Sequence, residues 1–430
     1  MHENDLGQLL ILKLNERRWG SSLELFLHRL LPGGILLGAP LTGGAESIHE
    51  FLLKLARAAP AIPFLAVEEE GSAMDPLRAF LPPLPSPRAA AEKGLAAVTR
   101  LGELVGAALQ LLGFSTDLAP GLDLAASERR GCEPVENPCR GTARRAPTGE
   151  TAETRAFSPD PQQVAKCGAA FLRGLERHNL LACGRHFPGL GTAQYSSPTE
   201  PPVVSKSMAE LWREDLVPYR TLLPRLPLVL VSTAAYKAFD FDLLQSAGLS
   251  PRVVEGLLRV KLGYNGVAIA CGLESEAVRG TLPLGEAAAH ALRAGCDVLL
   301  LEKAEAAEVV HQALREAVES GRLANPRVEQ ALKRIRLAKK GLKPPSGRLS
   351  RRSLDRLVRE FTEFSSDFTG SGNIEIRKSK IENRKWKIET RFSLRMTAST
   401  RFDFRFSSFH FPVSSFGFRF SLFDFPVWVS

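Results

Sequence analysis

Eight short apolar runs, each followed by a stretch with helical spacing, constrain this chain more than any other feature of its sequence. The runs fall at 9–14, 33–38, 62–67, 113–120, 179–184, 227–233, 266–271 and 296–301. Between them, the apolar spacing predicts helices over 23–31, 47–59, 89–112, 161–178, 208–223, 251–262 and 284–294, with two more in 304–340. Ser250 followed by Pro251 predicts a capped helix start, because a serine accepts an orphan N–H and proline suits the first helical position. Strands alternating with helices argue for parallel βαβ units, whose strands are buried on both faces and read as continuous apolar runs. Eight units in about 340 residues favour a closed (β/α)8 TIM-type barrel over an open doubly wound sheet. No Gly-rich dinucleotide fingerprint follows the first run, which counts against the open alternative.

The charge of the chain is uneven. Its net charge is +9, but residues 343–430 hold 17 Lys and Arg against 9 Asp and Glu, so residues 1–342 are close to neutral. The same segment carries 14 of the 24 Phe residues, as in Arg401-Phe402-Asp403-Phe404-Arg405-Phe406, with little Leu, Ile or Val to form a core. Two regions are therefore expected: a single barrel domain over 1–342, and a basic, Phe-rich tail over 343–430 that is disordered or poorly structured. The basic balance belongs to the tail, and no helix-turn-helix, finger or RRM signature accompanies it, so no nucleic-acid partner is expected. Six cysteines occur, without CxxC spacing, and neither a metal nor a cofactor is expected. No basic n-region with a long apolar run opens the chain, so the expectation is a cytoplasmic monomer without a membrane span. Residues 125–154, polar and Arg-rich, read as a long flexible loop.

Active sites of α/β barrels lie at the C-terminal ends of the strands. Three such ends stand out. The third run ends in Glu68-Glu69-Glu70-Gly71. The fifth ends in Arg185-His186-Phe187-Pro188-Gly189-Leu190-Gly191. The fourth is followed by Asp123, which reads equally well as a residue capping a turn.

The succession GGILLG, AVEEEG, DLAPGLDL, RAFSPDP, RHFPGLG, LGYNGVAIA and AGCDVLLL resembles glycoside hydrolase family 3, and within it the β-N-acetylhexosaminidase branch. The likeness extends over roughly residues 6 to 340, in order and spacing. It implies the N-terminal α/β barrel of that family, and a retaining hydrolysis in which a carboxylate attacks the anomeric carbon while a second group protonates the leaving oxygen. It also implies that an N-acetylglucosamine-containing cell-wall fragment is the ligand. The resemblance places Arg155, Arg185, His186 and Glu68 at sugar-holding positions; Arg185 replaces the usual Lys and Glu68 the usual Asp. At the nucleophile position stands Cys271 instead of Asp. At the Asp-Ser-His acid/base motif stand Ser196, Ser197 and Pro198. Leu190 and Thr233 take the places of two further His residues, and Ala73 and Pro76 fall where a family Arg is missing.

These substitutions lead to the expectation of a degenerate member with hydrolysis lost or much weakened. One alternative is an active glycosidase with relocated carboxylates, Glu274 or Glu276 working with Glu68, Glu69 or Glu70. Glu274 and Glu276 also read as acidic residues beginning a helix. The other alternative is a non-catalytic amino-sugar-binding module. A Cys271 nucleophile is remote, since a buried thiol at a strand end is ordinarily inert.

Overall fold

The computed structural model describes residues 3–15, 18–59, 61–72, 75–125, 155–191, 193–194, 196–197, 199–345 and 347–368. Nearly all of the loop expected over 125–154, and the tail beyond residue 368, lie outside the described residues.

Eight parallel strands close into a barrel: β1 (Leu10–Leu14), β2 (Gly34–Leu37), β3 (Phe64–Val67), β4 (Thr116–Asp117), β5 (Leu181–Phe187), β6 (Leu228–Val231), β7 (Val267–Ala270) and β8 (Val298–Leu301). Each strand pairs with the next in sequence, and β8 returns to β1 through Leu12 opposite Leu301. This is the (β/α)8 TIM-type barrel that the alternation predicts. Its strands are buried almost throughout, which is why they are spelled as unbroken Leu, Val, Ile and Ala runs.

Two expected helices are each split in two. Ser86 caps a first helix, Pro87–Lys93, by accepting from Ala89 N at 3.2 Å; Gly94, at φ +109°, ends it before Leu95–Leu112 begins. The 208–223 stretch breaks at Glu214–Asp215. Met208–Arg213 starts from a capping box between Ser207 and Glu210, and Leu216–Leu222 carries Pro218 in its first turn, where a missing N–H costs nothing. Ser250 Oγ accepts from Val253 N at 3.2 Å, as the capping pattern predicts.

Leu95–Leu112 is long and apolar enough to cross a membrane, but half of it is buried within the protein. One face meets the helix Pro161–Glu176 at a glycine crossing: a Cβ on Gly102 would lie 2.4 Å from Phe171 O, so only glycine permits this approach. A further neighbour is a helix in the segment expected to lack structure. Arg351–Ser366, capped by Ser350, buries Leu357, Phe361 and Phe364. Arg100 donates to Glu360 at 2.9 Å, and Lys93 sits 4.2 Å from the ring centroid of Phe368. The chain therefore keeps packing past the boundary expected at 342. The charge and Phe content of the tail as a whole obscure, within it, a single amphipathic stretch with Leu354, Leu357, Phe361 and Phe364 at helical spacing.

Candidate functional site

The mouth at the C-terminal ends of β1, β2, β3 and β5 opens on a cavity of about 320 Å3 lined by Lys13, Asn15, Glu68, Glu70, Arg155 and Arg185, among others. Arg185 organises it. Only 2% of its side chain is exposed. Its Nη2 donates to Glu70 Oε1 at 2.7 Å, and its Nη1 lies 3.1 Å from Glu68 Oε1. Glu70 is nearly as buried, and its second oxygen accepts from Gly121 N at 3.0 Å; Arg155 Nη2 reaches Oε1 at 3.5 Å. Burial disfavours the Glu70 carboxylate, but Arg185, Arg155 and the Gly121 N–H outweigh it and hold its pKa below the usual value. Burial likewise opposes the Arg185 charge, and Glu70 and Glu68 more than offset it.

Glu69 points away from this pair. Gly71 N donates to its Oε1 at 2.6 Å, and its own N–H donates to Asp117 Oδ1 at 3.0 Å. Burial, then the nearby Asp75, drives the Glu69 carboxyl well above its ordinary range, and burial does the same to Asp117. Of the three carboxylates ending β3, one is therefore a buried acid, one is locked to Arg185, and Glu68 is the half-exposed one.

His186 is set by a bulge. Arg185 and Phe187 pair with the consecutive residues Leu230 and Val231 of β6, so His186 has no opposite number there. Its ring turns to the β4 loop, where Nδ1 donates to Asp123 Oδ2 at 2.7 Å. The other Asp123 oxygen accepts from Leu190 N at 2.7 Å and from His186 N at 3.4 Å. Burial is again overcome, here by His186, and the Asp123 pKa is lowered. Asp123 thus caps the turn and orients the imidazole. In that turn Gly189 adopts φ +131°, where a Cβ would also strike Asp215 Cβ at 2.6 Å.

Cys271, at the end of β7, does not line the cavity. Its thiol donates to Val231 O at 3.4 Å, and burial, with Glu302 and Glu68 adding to it, pushes its pKa up to about 12. Ser196 sits at an exposed turn, donating to Glu200 Oε2 at 2.8 Å; Pro198 lies outside the described residues. Glu274 does not begin a helix. Both of its oxygens accept backbone N–H groups, from Glu302 at 2.7 Å and Lys303 at 2.9 Å, tying down the loop after β8. Glu276 does open the short helix Glu276–Arg279.

The structure therefore gathers Glu68, Arg155 and Arg185 around one cavity and sets His186 beside them on the same strand as Arg185. Sequence reasoning missed Lys13, which pairs with Glu302 at 2.6 Å across the β1–β8 seam, and Asp117. The one polar residue within the run LILKL was the available signal for Lys13. Among the described residues, no group of three or more His, Cys, Asp or Glu is placed to hold a metal ion.

An eight-stranded barrel whose mouth opens on a small polar cavity of Lys, Asn, Glu and Arg side chains has the concave site of the small-molecule-binding α/β barrels. The comparisons with known proteins give that class its family. The family model described as the glycosyl hydrolase family 3 N terminal domain matches residues 143–338. A beta-hexosaminidase of Tolumonas auensis is 32% identical over 285 residues, covering 64% of this chain and 77% of its own. One from Pseudomonas aeruginosa is 30% identical over 274 residues, covering 63% and 74%. The solved glycoside hydrolase family 3 beta-N-acetylglucosaminidase from Paenibacillus sp. superposes with a TM-score of 0.72 at 25% identity, covering 85% of this chain and 69% of that one. The chain belongs to glycosyl hydrolase family 3, on its beta-N-acetylhexosaminidase side.

Proposed function

We propose that this protein binds an N-acetylglucosamine-containing ligand at the barrel mouth and does not hydrolyse it. The observation that carries the reading is the end of β7. The family resemblance requires a carboxylate there, and the residue present is Cys271, whose thiol is engaged with Val231 O and held protonated far above neutral pH. A thiol in that state is not a nucleophile.

The relocated-carboxylate alternative finds little support. A retaining pair needs two carboxyl groups about 5–5.5 Å apart, with one free to attack. Glu274 spends both oxygens on backbone N–H groups, and Glu70 spends both on Gly121 and the two arginines. Glu69 is a buried acid turned toward Asp75. Glu276 is exposed at the start of the helix Glu276–Arg279, and Glu68 is ion-paired to Arg185. Binding, by contrast, is served by what is present. Arg155 is partly exposed at the cavity, and His186 is held in one orientation by Asp123.

The test uses the full chain in two measurements. Release of p-nitrophenol from p-nitrophenyl N-acetylglucosaminide is expected at the level of the uncatalysed reaction. Calorimetry with N-acetylglucosamine-anhydromuramic acid is expected to show saturable heat that Arg155→Ala and His186→Ala each abolish. Turnover lost in either variant overturns the non-hydrolytic reading, and absence of heat at about 5 mM ligand overturns the binding reading.

A further inference from the structure

A second cavity lies at the opposite end of the barrel. It occupies about 630 Å3, within the size range of small-molecule sites. Its walls come from residues just before β4 and β5, from the C-terminal end of Leu95–Leu112, and from 341–345 and 348–357. The segment is held there by His49, which lies 3.0 Å from Leu112 O through Nδ1 and 3.3 Å from Gly347 O through Nε2. Pro345 packs against Gly113, where an added Cβ would come within 2.6 Å.

The charge of this cavity is one-sided. Lys343, Arg348 and Arg356 line it, and no carboxylate does; His49 and His178 are beside them, and burial and Arg177 lower the His178 pKa, so the positive charge is that of the Lys and the two Arg. Lys343 and Arg348 form no ion pair or hydrogen bond with the described residues. Arg356 has Glu360 at 3.8 Å, but that carboxylate also serves Arg100 at 2.9 Å, so one negative charge answers two guanidinium groups. The 16-residue helix Arg351–Ser366 begins at the same place. Its cap Ser350 and its residue Ser353 line the cavity, and the Ser350 side chain satisfies only the Ser353 N–H, at 3.2 Å. The remaining first-turn N–H groups and the positive end of the helix dipole add to the same sign. Cations gathered in a concavity with so little counter-charge repel one another; a multiply charged anion is the occupant that relieves this. Guanidinium forks and helix N–H groups match the oxygens of a phosphate. Leu111, Phe114 and Leu357 supply an apolar flank for the body of a ligand.

We propose that this cavity is a binding site for a small phosphorylated ligand bearing at least two phosphate charges, separate from the sugar-holding mouth. The experiment is calorimetry on the full chain with inorganic pyrophosphate at about 150 mM NaCl, where contacts between exposed charges beyond ~8 Å are screened. Citrate, equally charged but without phosphorus, serves as the second arm. The expected result is a dissociation constant of about 1 mM or tighter for pyrophosphate and at least tenfold weaker binding of citrate. In the double variant Arg348→Gln/Arg356→Gln, pyrophosphate binding is expected to fall at least tenfold. Both side chains are exposed, and an unchanged thermal unfolding transition shows that this variant is folded. Three results overturn the proposal: no heat at roughly 10 mM pyrophosphate, undiminished binding in the double variant, which moves the site to the basic residues beyond 368, or equal affinity for citrate.

Discussion

Replacing Glu70 with Gln measures how far the barrel mouth depends on its buried ion pair. The change keeps the shape of the side chain and removes its charge. It leaves Arg185, 2% exposed, with Glu68 as its one remaining ion pair among the described residues, at 3.1 Å, and the farther Asp117 as a weaker influence; Glu68 is 46% exposed. Breaking one side of a buried pair typically costs about 3–5 kcal/mol, because the other charge stays desolvated. Two features lower that figure here. The Gln oxygen still accepts from Arg185, and Glu68 retains a solvent-screened part of the balance. The expected loss is about 2–3 kcal/mol for Glu70→Gln, against less than about 1 kcal/mol for Glu68→Gln. Urea unfolding of the full chain, followed by tryptophan fluorescence and far-UV circular dichroism, reads both. The dependence on pH gives an independent check. Burial raises the Glu70 pKa, Arg185, Arg155 and the Gly121 N–H lower it further, and the net displacement is downward. Such a carboxylate contributes its full stabilisation above the ordinary glutamate value of about 4.3 and loses it as pH falls through the lowered folded-state pKa. The gap between the unaltered chain and Glu70→Gln should therefore be full at neutral pH and close progressively below about pH 4. A loss under about 1 kcal/mol at neutral pH, or a gap indifferent to pH, refutes the assignment of Glu70 as the main counter-charge of Arg185.

Three further outcomes are expected. Cys271→Asp should give slow p-nitrophenol release from p-nitrophenyl N-acetylglucosaminide, accelerated by azide, because p-nitrophenolate departs without a proton donor; release no faster than that of the parent chain removes position 271 from the anomeric carbon. Asp297→Asn should cost about 3–5 kcal/mol in chemical unfolding, since this fully buried carboxylate receives Arg259 at 2.5 Å, Arg327 at 2.8 Å and Arg334 at 3.0 Å, and an unaffected midpoint contradicts that account. Phe361→Ala should cost about 3–5 kcal/mol of local packing and make the 343–368 segment a preferred site of limited proteolysis; a cleavage pattern identical to that of the parent chain shows that the helix is not held by this contact.

The barrel was legible because its information is local and redundant. Each strand is a short run of Leu, Val, Ile and Ala closed by Gly or Pro, and each helix has its own apolar stripe. The splits at Gly94 and Glu214 were signalled by Gly94 and Pro218 but hidden by apolar periodicity that runs through both breaks. The site was legible as composition but not as partnership. Arg185 and Glu68 could be named from the strand ends. Nothing local says that Glu70, two residues on, takes the shortest bond to Arg185, because that partner lies 115 residues away on β5, and the Asp117 that holds the Glu69 backbone lies 48 residues away on β4. Asp123 could be read as a turn cap or as a functional group; in the structure it caps the turn through Leu190 N and also accepts from the His186 ring that the bulge turns toward it. Glu274 looked like the start of a helix because acidic residues suit that position, and its true partners, the N–H groups of Glu302 and Lys303, are 28 and 29 residues away.

The packing of Arg351–Ser366 on Leu95–Leu112 also sets a timetable for synthesis. The contact from Arg100 to Glu360 spans 260 residues and that from Ser365 to Pro83 spans 282. At about 5–20 residues per second, roughly 13–52 s separate the emergence of the apolar helix from that of the segment which covers it. Throughout that interval a helix hydrophobic enough to enter a bilayer has one flank bare on the ribosome-bound chain. A chain cut before residue 351 lacks the helix that covers this flank, and the flank then stays bare.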